Sequence, residues 1–196
     1  LQQANLSFIF NGYFFSSISQ DLANDILYGN LDKYLLKPIN TLFMVLTQKF
    51  ELISMLPGLI VPIVLIFTVS SNYQIHFINL ILYITSILMS SMIFTSITFS
   101  IASGSFWQKD LTNFQSNFYT IMNYQKYPID IYPKYIKQIF IFILPMGITS
   151  YIPTLFLING FNLKFVIIHL FVFLTMITTS TIIWKKGIAV YSGASS

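Results

Sequence analysis

The sequence predicts an all-α integral membrane protein: four full transmembrane helices, the end of a truncated one ahead of them, short cytoplasmic helices and an amphipathic helix. Three observations predict it. The 196 residues are 55% hydrophobic and only 8% charged, with a mean hydropathy of +0.72. A soluble domain carries about a quarter charged residues, so these few could not cover a water-facing surface. Four apolar stretches approach or exceed the length of a bilayer crossing. The lysines gather in alternate connections between them.

Residues Leu6 to Ile18 are apolar and aromatic but too short to cross a bilayer. They lack a basic front and a small-residue cleavage site, so they do not read as a signal peptide. We read them as the end of a severed helix, and the sequence as a fragment. Residues 19–41 form the most closely charged passage before the long apolar segments. Ser19 offers an N-cap and Asp21 a favourable first-turn charge. Leu22, Ile26 and Leu27 make a narrow apolar stripe, and Gly29 can end the helix in the left-handed conformation. Asp32 can cap a second turn, Lys33 to Leu36, which Pro38 stops. The expectation is two short helices around a tight Gly-Asn corner on the cytoplasmic side.

The first span is placed at 43–69. Its uncharged core, Leu52 to Val69, gives about 27 Å of helix at about 1.5 Å per residue. Lys49 and Glu51 precede that core and reach water by snorkelling. Pro57 and Pro62 should kink it. Residues 77–102 are the clearest span, with no charge over their whole length. Ser86, Ser90, Ser91, Thr95, Ser96 and Thr98 permit close helix contacts and interhelical hydrogen bonds. From Phe106 to Tyr127, Trp107, Leu111, Phe114, Phe118 and Ile121 recur at steps of four and three, the pattern of an amphipathic helix packed on protein. Two Tyr-Pro pairs, Tyr127-Pro128 and Tyr132-Pro133, then impose a stiff extended entry. The span at 139–158 contains Pro145, Gly147 and Pro153. Two readings of Pro153 stay open, a re-entrant turn or a kinked helix. The last span is 165–184, with His169 a hydrogen-bonded interfacial residue near its start and Trp184-Lys185-Lys186 an interfacial stop.

With residues 19–41 cytoplasmic, Lys33, Lys37, Lys109, Lys126, Lys134, Lys137, Lys185 and Lys186 share one side and Lys164 alone lies opposite, a strong positive-inside bias. The lysines form no stripe, which argues against nucleic acid. The absence of cysteine excludes thiol chemistry. No phosphate-binding loop, zinc-protease motif or nucleophile elbow occurs, and no catalytic residue is assigned. Asp21, Asp25 and Asp32 leave one alternative, an integral-membrane metal-dependent lipid transferase, but the break at Gly29 separates Asp32 from the others, and no metal site is assigned. The span interiors lack buried acids, so a self-driven secondary carrier is disfavoured. A membrane domain with no energy source of its own calls for a partner that supplies one.

The stretch Gly29-Asn30-Leu31-Asp32-Lys33-Tyr34-Leu35-Leu36-Lys37-Pro38-Ile39-Asn40 resembles the G-x-L-D-x-x-L-L-[RK]-P-x-N element of the permease subunits of ATP-binding-cassette transporters of the type-2 export class, in a six-span branch. The Tyr-Pro pairs followed by Pro145, Tyr151 and Pro153 resemble a second signature, and Gly187 through Tyr191 a closing element. The resemblance covers essentially the whole chain, 1–196, as one permease domain. It implies that Gly29, Asp32, Leu35, Leu36, Lys37 and Pro38 couple the chain to a separate ABC ATPase subunit, which holds the ATP and Mg²⁺, with no cofactor in this chain. It implies a second permease copy or paralogue, a lipid environment, and export across the cell membrane with a cytoplasmic C-terminus. The use of Lys without Arg, with abundant Ile, Asn, Phe and Tyr, suggests an AT-rich bacterial genome. Pro57, Pro62, Pro145 and Pro153 are candidate hinges. The chain departs from the family in lacking the first span and most of the second. Lys37 also stands where Arg is common, and Lys cannot make Arg's bidentate contact. With few polar residues to line a path, the expected cargo is hydrophobic or amphipathic.

Overall fold

The computed structural model describes residues 21–48, 74–108, 131–142 and 145–191, with shorter pieces at 60, 63–64, 66–71, 111, 117–118 and 120–121. Among these residues all regular structure is helical. In chain order we label α1 (residues 21–27), α2 (Asp32–Leu35), α3 (Thr41–Gln48), α4 (Phe77–Ser103), α5 (Lys134–Phe142), α6 (Met146–Asn159) and α7 (Leu163–Val190). Two of them, α4 and α7, are long and apolar enough to cross a membrane. With 27 and 28 residues they reach about 40 Å at about 1.5 Å per residue, beyond a hydrocarbon core of about 30 Å.

Helix α4 is the centre of the bundle. Leu157 of α6 packs on Tyr83 and Ile87, while Ile148 and Ile152 pack on Ile93, so α6 runs antiparallel to α4. Val172 of α7 joins Ile93 and Trp184 joins Phe99 and Ala102, so α7 runs parallel to it. The α6–α7 connection turns at Gly160, whose φ is +75° and where a Cβ would lie 2.9 Å from Asn79 Oδ1. The Asn79 side chain in turn donates to the Leu157 carbonyl at 3.4 Å. Asn162 caps α7 by accepting from the Lys164 amide at 3.1 Å.

The distribution of polarity is that of a protein in lipid. Ser86, Ser90, Ser91, Thr98, Thr149, His169 and Ser180 are buried, while Ile81, Ile84, Leu88 and Met92 of α4 and Ile167, Phe171, Leu174 and Ile182 of α7 are exposed. In water the pattern would be the reverse. Small hydroxylated residues at helix contacts let backbones approach closely where no hydrophobic effect drives association. Most of the hydroxyls are satisfied on their own helix: Ser91, Thr95 and Ser96 donate to the carbonyls of Leu88, Ser91 and Met92, each at 2.8 Å. Ser90 instead faces His169 Nε2 of α7 at 3.4 Å.

Several sequence expectations are corrected. The last helix does not stop at the Trp184-Lys186 group but continues to Val190, and Trp184 is 3% exposed, a core residue rather than an interfacial anchor. His169 is likewise buried between helices rather than interfacial. Helical structure near 139–158 starts earlier, at Lys134, and Pro145, the N-cap of α6, is itself not helical. Pro153 lies inside continuous helix α6, so no turn forms there. The amphipathic helix does not begin at Phe106. Gly104–Phe106 form a 3₁₀ turn, Trp107 is in a turn and Leu111 is non-helical, while 117–118 and 120–121 are helical. The physical reason is tertiary: the turn drops Phe106 onto α7. The N-terminal segment 6–18, most of 43–69 including Pro57 and Pro62, and the first Tyr-Pro pair lie outside the described residues.

Candidate functional site: a corner fastened to one end of the bundle

Residues 21–40 fold as a corner. Gly29, at φ +74°, ends α1, and the Leu31 amide closes back onto the Asp25 carbonyl at 3.2 Å. Leu31, not Asp32, occupies the N-cap of α2, and Asp32 lies in its first turn, where a carboxylate favours the helix dipole. After Pro38, Asn40 caps α3 by accepting from the Leu42 and Phe43 amides at 3.0 and 3.3 Å. One face of the corner is core. Leu22, Ala23, Ile26, Leu31 and Tyr34 pack with Val45 of α3, Phe99 and Ala102 of α4 and Trp184 of α7. Fully burying residues such as Leu22 and Leu31 contributes about 1.5–3 kcal/mol each.

A polar clasp locks the two turns together. Asp25 is 7% exposed, its Oδ2 accepts from the Tyr34 hydroxyl at 2.8 Å, and its Oδ1 lies 3.5 Å from Lys33 Nζ. The Lys33 ammonium also sits 4.8 Å above the Tyr34 ring. A buried carboxylate needs such partners to remain in a core. The clasp is not legible in the sequence. The partners stand nine positions apart across a Gly turn, outside the helical spacing that would have paired them.

An aromatic stack ties the same corner to the ends of both long helices. The Phe106 ring centroid lies 5.6 Å from Trp184, 5.9 Å from Tyr191 and 6.1 Å from Trp107, and Phe99 lies 5.2 Å from Trp184. Phe106 rests directly on Gly187, where a Cβ would fall 2.6 Å from its Cε2. The Tyr191 hydroxyl is buried beside the Asp32 carboxylate. Burial raises its pKa above the ordinary 10.0, and the neighbouring Asp32 carboxylate adds to the rise.

The opposite face of the corner is bare. Tyr28 is 75% exposed, Leu36 85%, Ile39 54% and Leu35 40%, an apolar patch beside exposed Lys37 and Pro38. Of the residues singled out from sequence, Gly29 and Asp32 shape or underpin the corner and Leu35, Leu36, Lys37 and Pro38 protrude from it. Pro145 and Pro153 lie elsewhere, both buried, at the start and in the body of α6. Among the described residues, Asp21, Asp25 and Asp32 form no cluster able to hold a metal ion.

The lipid-facing apolar surface, the hydroxylated interior and the two span-length helices define an integral membrane protein of the helical-bundle class. The chain belongs to the ABC-2 family transporter proteins, matching that family over residues 3–195. It is a membrane permease component of an ABC transporter, a class that works with an ABC ATPase. Neither the curated proteins nor the solved structures gave a significant match.

Proposed function

We propose that the chain is the subunit through which a separate ABC ATPase drives export, and that the corner at residues 21–40 is where that ATPase engages it. One observation carries the reading: the corner is fastened by its buried face to the ends of α4 and α7, while Leu36 and its apolar neighbours face outward. A rigid element with one face in the bundle and one face free can pass a push into the spans without dissipating it in its own bending. The end it occupies is the one that carries Lys185 and Lys186, which the positive-inside bias makes cytoplasmic, where an ATPase has access to ATP.

In this reading ATP and Mg²⁺ stay on the ATPase, and the chain itself is not an enzyme. Residues 43–69 and 139–158 complete a four-span segment around α4 and α7. A second permease copy or paralogue closes the pathway in a bacterial cell membrane, and Pro57, Pro62, Pro145 and Pro153 supply flexure. The lipid-transferase alternative gains no support, because its carboxylates do not converge and Asp25 is already engaged by Tyr34 and Lys33.

Exchanging the whole corner for a flexible linker would also remove Leu31 and Tyr34 from the core, so the sharper test is Leu36→Glu. An exposed side chain can be changed within about 0.5 kcal/mol of stability. The expected result is an inserted, thermally normal permease that loses copurification with its ATPase and loses transport. Unchanged transport would sink the proposal.

A further inference from the structure

The bundle contains a cavity of about 230 Å³ between α3, α4 and α7, directly above the corner. Its size exceeds the roughly 150 Å³ of an apolar cavity known to take benzene. It falls below the roughly 300–1,000 Å³ of sites that enclose a drug-sized molecule. It therefore suits one chain or ring, not a whole amphiphile.

The chemistry of the wall is hydrocarbon. Leu42 and Leu46 come from α3, Met92 and Phe99 from α4, and Ile177 from α7. Four hydroxylated residues also reach the wall, Thr95, Ser96, Ser180 and Thr181, and three of them are spent on their own helix. Thr95 donates to Ser91, Ser96 to Met92 and Thr181 to Thr178, at 2.8, 2.8 and 2.9 Å. With three of the four donors used on their own helix and the rest of the wall hydrocarbon, a polar or charged cargo gains little there in exchange for its lost hydration.

The rim and the floor identify the occupant. Met92, at the rim, is half-exposed and continues the apolar stripe of Ile81, Ile84 and Leu88 on the outer surface of α4. That surface faces lipid, so the phase at the mouth is hydrocarbon rather than water. Phe99, at the floor, is buried against Trp184 and shares its core with Leu22, Ile26 and Tyr34 of the corner. We propose that this cavity holds the hydrocarbon chain of a membrane amphiphile drawn from the leaflet at the lysine-rich end.

If the chain is a permease, this amphiphile is its cargo, a clause that rests on the function proposed above; the occupancy itself does not. Leu42, Leu46 and Phe99 both line the cavity and pack on the corner. A displacement of the corner therefore changes the cavity's volume and presses on whatever fills it.

The test uses the two tryptophans. In a Trp107→Phe background the full chain is reconstituted into phosphatidylcholine vesicles whose acyl chains carry bromine on the carbons nearer the headgroup, and Trp184 fluorescence is read. Trp184 is 3% exposed, so bulk lipid does not touch it, and the part of its quenching that filling the cavity removes reports bromine in the cavity beyond Phe99. The expected result is clear quenching of Trp184 that falls at least twofold when the cavity is filled by Ser96→Phe. Leu46→Phe, on a different helix, gives the same reading if the first variant does not insert. Absence of quenching in the unfilled protein, as expected if a segment of this chain or a second copy occupies the space, overturns the proposal. Equal quenching in filled and unfilled proteins, with an unchanged emission maximum, overturns it as well. No ATPase takes part, so a negative result leaves the permease reading standing.

Discussion

The contact between Gly187 and Phe106 yields a prediction whose sign depends on one ring. Gly187 lies inside helix α7, where Ala in place of Gly ordinarily stabilises by about 1 kcal/mol. Here a Cβ would fall within the Phe106 ring, 2.6 Å from Cε2, 2.8 Å from Cγ and closer still to Cδ2. The ring cannot slide aside freely, because it is held by Trp184, Tyr191 and Trp107, and each such aromatic pair contributes about 0.5–1.5 kcal/mol. Overpacking of this kind costs about 1–3 kcal/mol, which outweighs the gain in helix propensity. Gly187→Ala should therefore destabilise by about 2 kcal/mol, lowering the unfolding midpoint by roughly 4–8 °C for a chain of this size.

The assay is thermal unfolding of the purified chain in nanodiscs, followed by tryptophan emission, over a double-mutant cycle with Phe106→Ala. Once the ring is gone, the same Gly187→Ala change should become neutral or raise the midpoint, because only the propensity term is left. The difference between the two backgrounds is the interaction energy of the pair. If Gly187→Ala costs the same in both backgrounds, or costs nothing in the wild type, Phe106 does not dock on α7 as described and the reasoning fails.

Two further predictions concern the corner. Tyr34→Phe removes the hydroxyl from the buried Asp25 carboxylate and should cost about 1.5–3 kcal/mol, the range for a hydrogen bond to a charged group; a midpoint equal to that of the wild type would mean the clasp does not close. Tyr191 bears on alkaline stability. Its folded-state pKa is raised above 10.0 by burial and then by Asp32, so the folded chain keeps the phenol proton better than the unfolded chain. The resulting stabilisation is complete below the unfolded value and is lost as pH rises through the folded one. Against Tyr191→Phe, the wild type should show a steeper loss of thermal stability on the alkaline side, and parallel curves would contradict the placement of the hydroxyl.

Composition and hydropathy alone determined that the chain is helical and lies in lipid, because 8% charge cannot solvate a surface of this size. Local sequence also determined the turn at Gly29, whose positive φ a residue with a side chain rarely adopts, and the lipid-length apolar run of α4. The motif from Gly29 to Asn40 marked the corner as the place of interest. Which of its residues face inward was not legible there, since Leu31 and Leu36 are the same residue type and differ only in what packs on them. Tertiary structure alone decided that Trp184 is core rather than an interfacial stop, that α7 continues to Val190, and that Phe106 leaves the helix to rest on Gly187. Those outcomes join positions 81 and 85 residues apart (106 to 187, 99 to 184). Hydrophobic periodicity reports which face of a segment is apolar, but not which distant ring will cover it.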